Sequence, residues 1–249
     1  MRAPNTAGFR FCQPPGPVIL KVTVVYVYAP HAGQKYKDYC LRFLDSYQNH
    51  PPGLGHHSVV VLNGAPTDFE MANLFSVLPD CDFLLHDDSG WDIGGYQLAA
   101  MIVPCDLMVF FSGSAYFKKS GWLKRMVAAY EKHGAGLYGA MGNRGDSIPT
   151  PVNVHPHIRT TGFWMDPELL NQYPSTVTTQ AQRYPFEHGP NCLTGWVKSR
   201  GLKTLVVSWS GEYKWEMWDA FPNGYHRGDQ SDVISYDRIC DPPFYTETK

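Results

Sequence analysis

A valine-rich run that leads directly into a helical stripe places the strongest constraint on the fold. The run Val22–Val27 ends at Ala29-Pro30 and predicts a strand that is buried on both faces. The next segment has the apolar periodicity of an amphipathic helix and stops at Pro51-Pro52-Gly53; its stripe is Tyr36, Tyr39, Cys40, Phe43, Leu44 and Tyr47. A strand followed by such a helix is the unit of layered α/β folds.

Strands and helices continue to alternate up to about residue 141. Further strands are predicted at Ser58–Leu62, Phe83–His86 and Leu107–Phe111. Two helical faces lie among and after them, formed by Ile93, Tyr96, Ala100 and Val103 and by Trp122, Met126 and Tyr130. This order predicts an α/β fold with a mostly parallel sheet and helices on both sides. Ligands of such sheets bind beyond the carboxyl ends of the strands.

The second half of the chain has a mixed pattern. A polar, proline-containing loop follows Gly142, and a strand at Ile158–Trp164 and a helix at Pro167–Gln172 are predicted after it. Neither a repeat nor a low-complexity tract suggests a boundary. We therefore predict an extended N-terminal arm at residues 1–20 and a single domain at residues 21–249.

Composition narrows the class of protein. The formal net charge of −2 provides no basic surplus for nucleic acid. The sequence has no signal-like start and no run approaching the ~20 apolar residues of a membrane span, so we expect a cytoplasmic protein without a transmembrane segment. The 6 cysteines are scattered without a zinc-like spacing and are interpreted as reduced thiols.

The most informative segment is His86–Gln97, in which an acidic loop containing glycine leaves a strand and enters a helix near Asp92. A helix start directs free amides and a positive dipole end toward a phosphate or carboxylate. The segment thus supplies candidate donor-binding residues, Asp87, Asp88, Asp92 and Gly94. The alternative is that the three acids are helix caps or solvated loop residues.

Two other strand ends carry polar side chains. Asn63 follows the second predicted strand, and Ser112-Gly113-Ser114 follows the fourth. We expect Asn63, Ser112 and Ser114 to lie near the loop of Asp88, because the carboxyl ends of parallel strands share one edge of the sheet.

A second constellation is Phe186-Glu187-His188-Gly189-Pro190-Asn191. Proline suits a first helical turn, which places Glu187 just before a helix start. A carboxylate in that position stays ionised and can act as a general base on an acceptor hydroxyl. The alternative is an acid that only stabilises the helix dipole.

These two motifs resemble those of GT-A glycosyltransferases, especially family-two and rhamnan-synthesis-type enzymes. The stretch Asp88–Gly94 resembles their N-x-G-x-D-I-G segment, and Phe186-Glu187-His188 matches the position of their x-E-D motif. The resemblance covers residues 21–208. It implies an inverting transfer from a nucleotide-sugar to a carbohydrate hydroxyl in surface polysaccharide synthesis, with Glu187 as the base and Asp92 beside the donor.

One departure concerns the metal. Those enzymes usually have an Asp-x-Asp motif where this chain reads Ser112-Gly113-Ser114. The chain is then metal-independent, or binds Mg²⁺ or Mn²⁺ through Asp87, Asp88 and a late residue such as His226, or is a catalytically silent binding or scaffold protein. We favour metal independence, with the leaving diphosphate stabilised by Arg159, Lys118, Lys119 or Arg227.

Residues for the acceptor or a lid are expected near the aromatic cluster Trp209–Tyr225, since flat rings stack on sugars. The polar stretch Arg227–Asp232 is interpreted either as a lid or as an ordinary surface turn. The candidates are His188, Trp215, His226 and Arg227.

Overall fold

The computed structural model describes residues 20–64, 74–143, 155–218 and 230–241. The first half contains β1 (Val22–Tyr28), α1 (Gln34–Asn49), β2 (His57–Asn63), β3 (Cys81–His86), α2 (Trp91–Ile102), β4 (Leu107–Phe111), α3 (Trp122–His133), β5 (Gly136–Gly139) and β6 (Gly142–Asn143). The second half contains β7 (His157–Ile158), β8 (Gly162–Met165), α4 (Pro167–Asn171), α5 (Gln180–His188), α6 (Leu193–Ser199), β9 (Lys203–Val207) and β10 (Glu212–Lys214). Short 3-10 turns lie at Pro30–Ala32, Trp215–Met217 and Arg238–Cys240.

Within the described ranges, eight strands form one sheet in the order β10-β9-β5-β8-β4-β1-β2-β3. The strands β1 to β4 pair in parallel, and so do β5 and β9, whereas β8 and β10 run antiparallel to their neighbours. The predicted mostly parallel sheet is confirmed. The carboxyl ends of β1 to β4 share one edge, which brings together the loops after Tyr28, Asn63, His86 and Phe111.

Both faces of the sheet are covered by helices. Successive residues of β1 alternate between two clusters, with Tyr26 packing toward α1 and α3 and Val25 toward α2, α5 and α6. This alternation explains why the β1 run is apolar at nearly every position. The resulting two-sided core fixes the edge on which the polar loops converge.

The predicted strands of the first half are confirmed to within two residues of their ends. The single strand predicted for Ile158–Trp164 is wrong. Ile158 belongs to β7, which pairs with β6 in a separate two-stranded sheet, whereas β8 pairs with β4 and β5. The chain changes sheets at residues 159–161, and an apolar pattern alone does not reveal such a change.

Several other expectations concern the chain as a whole. The five described cysteines are free thiols, as predicted, while Cys12 and most of the proposed arm lie outside the described residues. None of the helices in the described ranges combines the length and the apolarity that a membrane span needs. The single-domain assignment stays a prediction.

Candidate active site

The loop between β3 and α2 has a strained backbone. Asp88, Gly90 and Trp91 have φ angles of 67°, 76° and 58°, a region that non-glycine residues rarely occupy. The Trp91 amide donates to the Asp88 carbonyl at 3.1 Å, and a Cβ on Gly90 would lie only 2.0 Å from the carbonyl oxygen of Val177. The surrounding structure therefore holds this loop in a conformation it would not adopt alone.

Glycines at the start of α2 allow the helix to pack tightly against the strand ends. A Cβ on Gly94 would lie 2.1 Å from the Ser89 carbonyl oxygen and 2.9 Å from a carbon of the His86 ring. The amide of Gly94 already donates to the Gly90 carbonyl at 3.2 Å. Gly94, predicted to bind the donor, is thus needed here because the protein's own atoms fill the space beside it.

A hydrogen-bonded chain joins the ends of β2 and β3 to the loop. His86 Nδ1 donates to Asn63 Oδ1 at 2.8 Å, and His31 Nδ1 donates to the Asn63 carbonyl at 3.1 Å. His31 Nε2 lies 3.1 Å from Asp88 Oδ2. Asn63 Nδ2, buried among these groups, has no hydrogen-bond partner among the described residues.

Glu187 does not precede a helix start, and that prediction is wrong. It lies in the last turn of α5, which begins after the Thr179 side chain caps the amide of Gln182 and continues through Pro185. The next helix, α6, starts only at Leu193. Because the negative end of the helix dipole opposes a carboxylate in this position, the ionisation of Glu187 needs a different explanation.

Its neighbours supply that explanation. Arg183 Nε donates to Glu187 Oε2 at 2.8 Å, and the hydroxyl of Thr160 donates to Oε1. Burial opposes ionisation of the Glu187 carboxyl, but Arg183 and Thr160 outweigh it and lower the pKa. Glu187 is consequently an ionised carboxylate with a side chain only 11% exposed.

Asp92, at the start of α2, has a carboxyl pKa that is raised, whereas that of Glu187 is lowered. Burial raises the pKa of its carboxyl to about 6; Arg183 lowers it, while Glu187 and Asp88 raise it further. No hydrogen bond or ion pair within 4.0 Å joins this carboxylate to another residue of the described ranges. Two carboxylates whose pKa values are displaced in opposite directions therefore face the same arginine.

His188 continues this cluster on the far side of Glu187. Its Nε2 lies 3.8 Å from Glu187 Oε2, and its Nδ1 lies 3.3 Å from His157 Nε2. His157 donates through Nδ1 to the His155 carbonyl at 2.8 Å, so its Nε2 is the acceptor for His188. Burial lowers the pKa of His157 to about 4, which keeps this histidine neutral near pH 7.

The end of β4 and the segment before β8 add polar groups to the same edge. Ser112 is buried, its amide donates to the Thr161 carbonyl at 3.2 Å, and its hydroxyl has no partner among the described residues. The Ser114 carbonyl accepts from Arg42 at 3.1 Å. Arg159 pairs with Asp237 at 2.9 Å, while its Nε is buried without a described partner.

Other predicted residues lie apart from this cluster or outside the described ranges. Asp87 is 79% exposed and accepts from the Ser89 amide at 2.9 Å. Trp215 directly follows β10, the outer strand at the other side of the sheet from β3. Lys198 Nζ lies 3.9 Å from its ring centroid. His226 and Arg227 fall outside the described residues.

Across the described part of the chain, no group of three or more His, Cys, Asp or Glu side chains is arranged to hold a metal ion. Asp87 and Asp88 direct oxygens toward the Ser89 amide and the His31 ring instead. Metal ligation by Asp87, Asp88 and His226 stays a prediction.

Two of the cations proposed to stabilise the leaving diphosphate, Lys118 and Lys119, lie over aromatic rings. Lys118 Nζ lies 4.2 Å from the Tyr236 ring centroid, and Lys119 Nζ lies 4.4 Å from that of Trp209. Arg183 was not predicted from the sequence, although it contacts Glu187 and lies near Asp92. Its four-residue spacing from Glu187 is the signal that would have identified it once α5 was recognised.

Comparison with solved structures identifies a protein with a similar fold. Mouse xyloside xylosyltransferase 1, in its apo form, has a TM-score of 0.55 at 13% identity, covering 90% of this chain and 100% of that chain. The fold is of the GT-A type. At this identity the likeness establishes the GT-A fold and leaves the reaction to be argued from the site.

Other solved glycosyltransferases match this GT-A chain over shorter spans. The galactosyltransferase LgtC with donor and acceptor sugar analogs has a TM-score of 0.47 at 10% identity, covering 70% of each chain. S. aureus TarS 1–349 with UDP-GlcNAc has a TM-score of 0.43 at 16% identity, covering 61% of this chain and 46% of that chain. The chain spans less than half of the TarS chains in three matches, at 46%, 48% and 30%.

Two comparisons at the sequence level give no match. No protein-family model matches the chain. A search of curated proteins finds no significant relative.

Proposed function

We propose that this GT-A chain is a glycosyltransferase that moves a sugar from a nucleotide-sugar donor to a carbohydrate hydroxyl. The observation that carries the proposal is a set of buried polar atoms at the carboxyl edge of the sheet without partners among the described residues: Asn63 Nδ2, Ser112 Oγ and Arg159 Nε. Buried polar groups in folded proteins are nearly always hydrogen-bonded. All three atoms can donate a hydrogen bond, and a sugar diphosphate carries oxygens that accept such bonds.

The reaction is assigned to the pair Asp92 and Glu187. The acceptor oxygen would attack the anomeric carbon from the side opposite the diphosphate, the bond to the diphosphate would break, and the acceptor proton would pass to a carboxylate. Glu187 is the base that the family resemblance implies. Asp92 is the alternative, supported by its pKa of about 6 and by carboxylate oxygens without described partners.

The pH dependence of kcat/KM distinguishes the two bases. With Asp92 as the base, the rate should fall as the pH drops below about 6, where its carboxyl takes up a proton. With Glu187 as the base, the rate should persist to lower pH, because Arg183 and Thr160 keep its carboxylate ionised. The profile should be measured with saturating donor on the wild type and on Asp92→Asn.

We further propose an inverting, metal-independent transfer in surface polysaccharide synthesis, by an enzyme of the family-two or rhamnan-synthesis type. The support for these finer points is the motif resemblance and the sequence Ser112-Gly113-Ser114, which supplies hydroxyls rather than carboxylates at the end of β4. Arg159 and Arg183 are the cations near the cluster that would stabilise the leaving diphosphate.

The decisive experiment is a panel of UDP-, GDP-, dTDP- and CMP-sugars, tested for thermal stabilisation and donor turnover with and without EDTA. Ser112→Ala should weaken the stabilisation by a nucleotide-sugar several-fold, as expected for one lost hydrogen bond. Ser58→Ala is the matched control, since Ser58 is also buried but lies at the opposite end of β2.

Three outcomes would change the proposal. If no donor stabilises the protein or turns over, glycosyl transfer is wrong. Turnover that EDTA abolishes would refute metal independence. Stabilisation without hydrolysis or transfer would favour a catalytically silent binding protein, the alternative suggested by the residues at the end of β4.

A further inference from the structure

Trp91, the first residue of α2, has an unusual combination of properties. Its side chain is large and apolar, yet the residue is 40% exposed. Its backbone lies in the left-handed region, with φ at 58°. A bulky residue there is a genuine outlier, and the cost of that conformation is retained only when the surrounding structure enforces it.

The indole is held in place on one side. The Arg183 guanidinium lies 4.9 Å from the ring centroid, and Arg183 Nε is itself fixed by Glu187 at 2.8 Å. With 40% of the residue exposed, part of the Trp91 surface is open to solvent. A rigid, partly exposed aromatic face therefore lies next to the two carboxylates of the site.

The acidic side chains near Trp91 suit a ligand that carries several hydroxyl groups. Asp92 follows Trp91 directly in the sequence, Asp88 lies three residues before it, and Glu187 contacts the arginine beside the ring. Carboxylate oxygens accept hydrogen bonds from hydroxyl groups. The apolar C–H face of a pyranose packs against an indole, and its hydroxyls then reach the surrounding acids.

We propose that Trp91 is the stacking platform for a neutral pyranose and forms the acceptor subsite. This inference rests on the proposed glycosyl transfer and adds a binding site for the acceptor to it. The strained loop fixes the ring beside Asp92 and Glu187, so that a sugar stacked on it presents a hydroxyl to those carboxylates.

The kinetic test compares Trp91→Ala, Trp91→Phe and the wild type. Trp91→Ala should raise the acceptor KM roughly tenfold or more, whereas Trp91→Phe should retain most of the affinity because it keeps an aromatic face. Donor KM and thermal stabilisation by the nucleotide-sugar should stay unchanged. Met101→Ala is the control, since Met101 is 70% exposed at the other end of α2.

A second measurement needs no donor, so it tests the platform even if the chain does not transfer sugars. The wild type and Trp91→Phe are titrated with methyl glycosides of glucose, galactose, mannose, rhamnose and xylose, and tryptophan emission is recorded. A saturable change in the wild type that Trp91→Phe loses supports the platform even if the chain proves to be a silent binder. No change with any glycoside, or an unchanged acceptor KM in Trp91→Ala with normal donor turnover, overturns it.

A third variant separates the platform from a structural role. Trp91→Gly removes the side chain at a position where glycine is unstrained, so its thermal stability should equal or exceed that of the wild type. Sugar binding should nevertheless be lost. If Trp91→Gly instead unfolds the protein, Trp91 is a packing residue and the proposal is wrong.

Discussion

Arg183 Nε and Glu187 Oε2 lie 2.8 Å apart, one helical turn from each other near the end of α5. This contact keeps Glu187 ionised where the helix dipole works against it. Both members of the pair also act on Asp92: burial raises the pKa of that carboxyl, Arg183 lowers it, and Glu187 raises it again. Arg183 therefore influences the pKa of both carboxylates.

Replacing Glu187 with Gln should preserve the shape of the side chain while removing its charge. We expect kcat for transfer to fall by roughly 10²–10⁴ if Glu187 is the base, with donor affinity little changed. Steady-state kinetics with saturating donor measure the first effect, and thermal shifts with the nucleotide-sugar measure the second. Glu131→Gln, an exposed position on α3, is the control, and a kcat for Glu187→Gln within threefold of it would remove Glu187 from the mechanism.

Asp92 gives a prediction about stability and pH. Its pKa is about 6 in the folded chain and 3.8 in the reference state, so the stability linked to it is fully present below pH 3.8 and is lost as the pH rises through 6. Because a tenfold change in proton affinity is about 1.4 kcal/mol, Asp92→Asn should raise the free energy of unfolding by roughly 1–3 kcal/mol at pH 8.

Urea denaturation at pH 8 and at pH 3.5 checks this prediction. The stabilising effect of Asp92→Asn should be present at the higher pH and absent at the lower one, while transfer activity should fall. Equal stability of the two proteins at pH 8 would show that the carboxylate is well solvated or paired in solution, contrary to the prediction.

The fold of the first half followed from the sequence because its signals are local. The valine-rich β1 and the stripe from Cys40 to Tyr47 have periods that only a strand and a helix can satisfy. The second half was harder. The switch between β7 and β8 depends on partner strands distant in sequence, and α5 was missed because its glutamines, arginine and Pro185 do not form an apolar stripe.

The candidate site shows the same division. Asn63 and Ser112 were predicted because strand ends can be found from the pattern. Because α5 was not predicted, Glu187 was assigned to a position before a helix start and Arg183 was not identified. The four-residue spacing of Arg183 from Glu187 is nevertheless visible in the sequence. Contacts such as His31 with Asp88 join segments 57 residues apart, and only the folded chain reveals them.

Gly94 tests the packing of α2 against the strand ends. A Cβ at this position would lie 2.1 Å from the Ser89 carbonyl oxygen, a contact that requires the backbone to move. Gly94→Ala should therefore lower the free energy of unfolding by roughly 1–3 kcal/mol. Gly55→Ala is the matched control, because nothing lies within 4 Å of its Cβ position and its effect should stay within about 0.5 kcal/mol. Equal unfolding free energies for the two variants would contradict the tight packing.

The buried pair of Arg159 and Asp237 should be one of the stronger determinants of stability near the site. Asp237 is 1% exposed and accepts from Arg159 at 2.9 Å, and this contact helps to lower the pKa of its carboxyl although burial opposes it. Asp237→Asn leaves a mostly buried guanidinium without its counter-charge, a change that typically costs about 3–5 kcal/mol. Urea denaturation should show this loss near pH 7, and the difference should shrink in acid, because stability linked to a depressed carboxyl pKa is lost as the pH falls.

Asp82→Asn is the control for this prediction. Its side chain is 76% exposed in the wild type, so the substitution should change the free energy of unfolding by less than about 1 kcal/mol. Equal stability of the two variants would show that the Arg159 charge is solvated in the folded chain, contrary to the prediction.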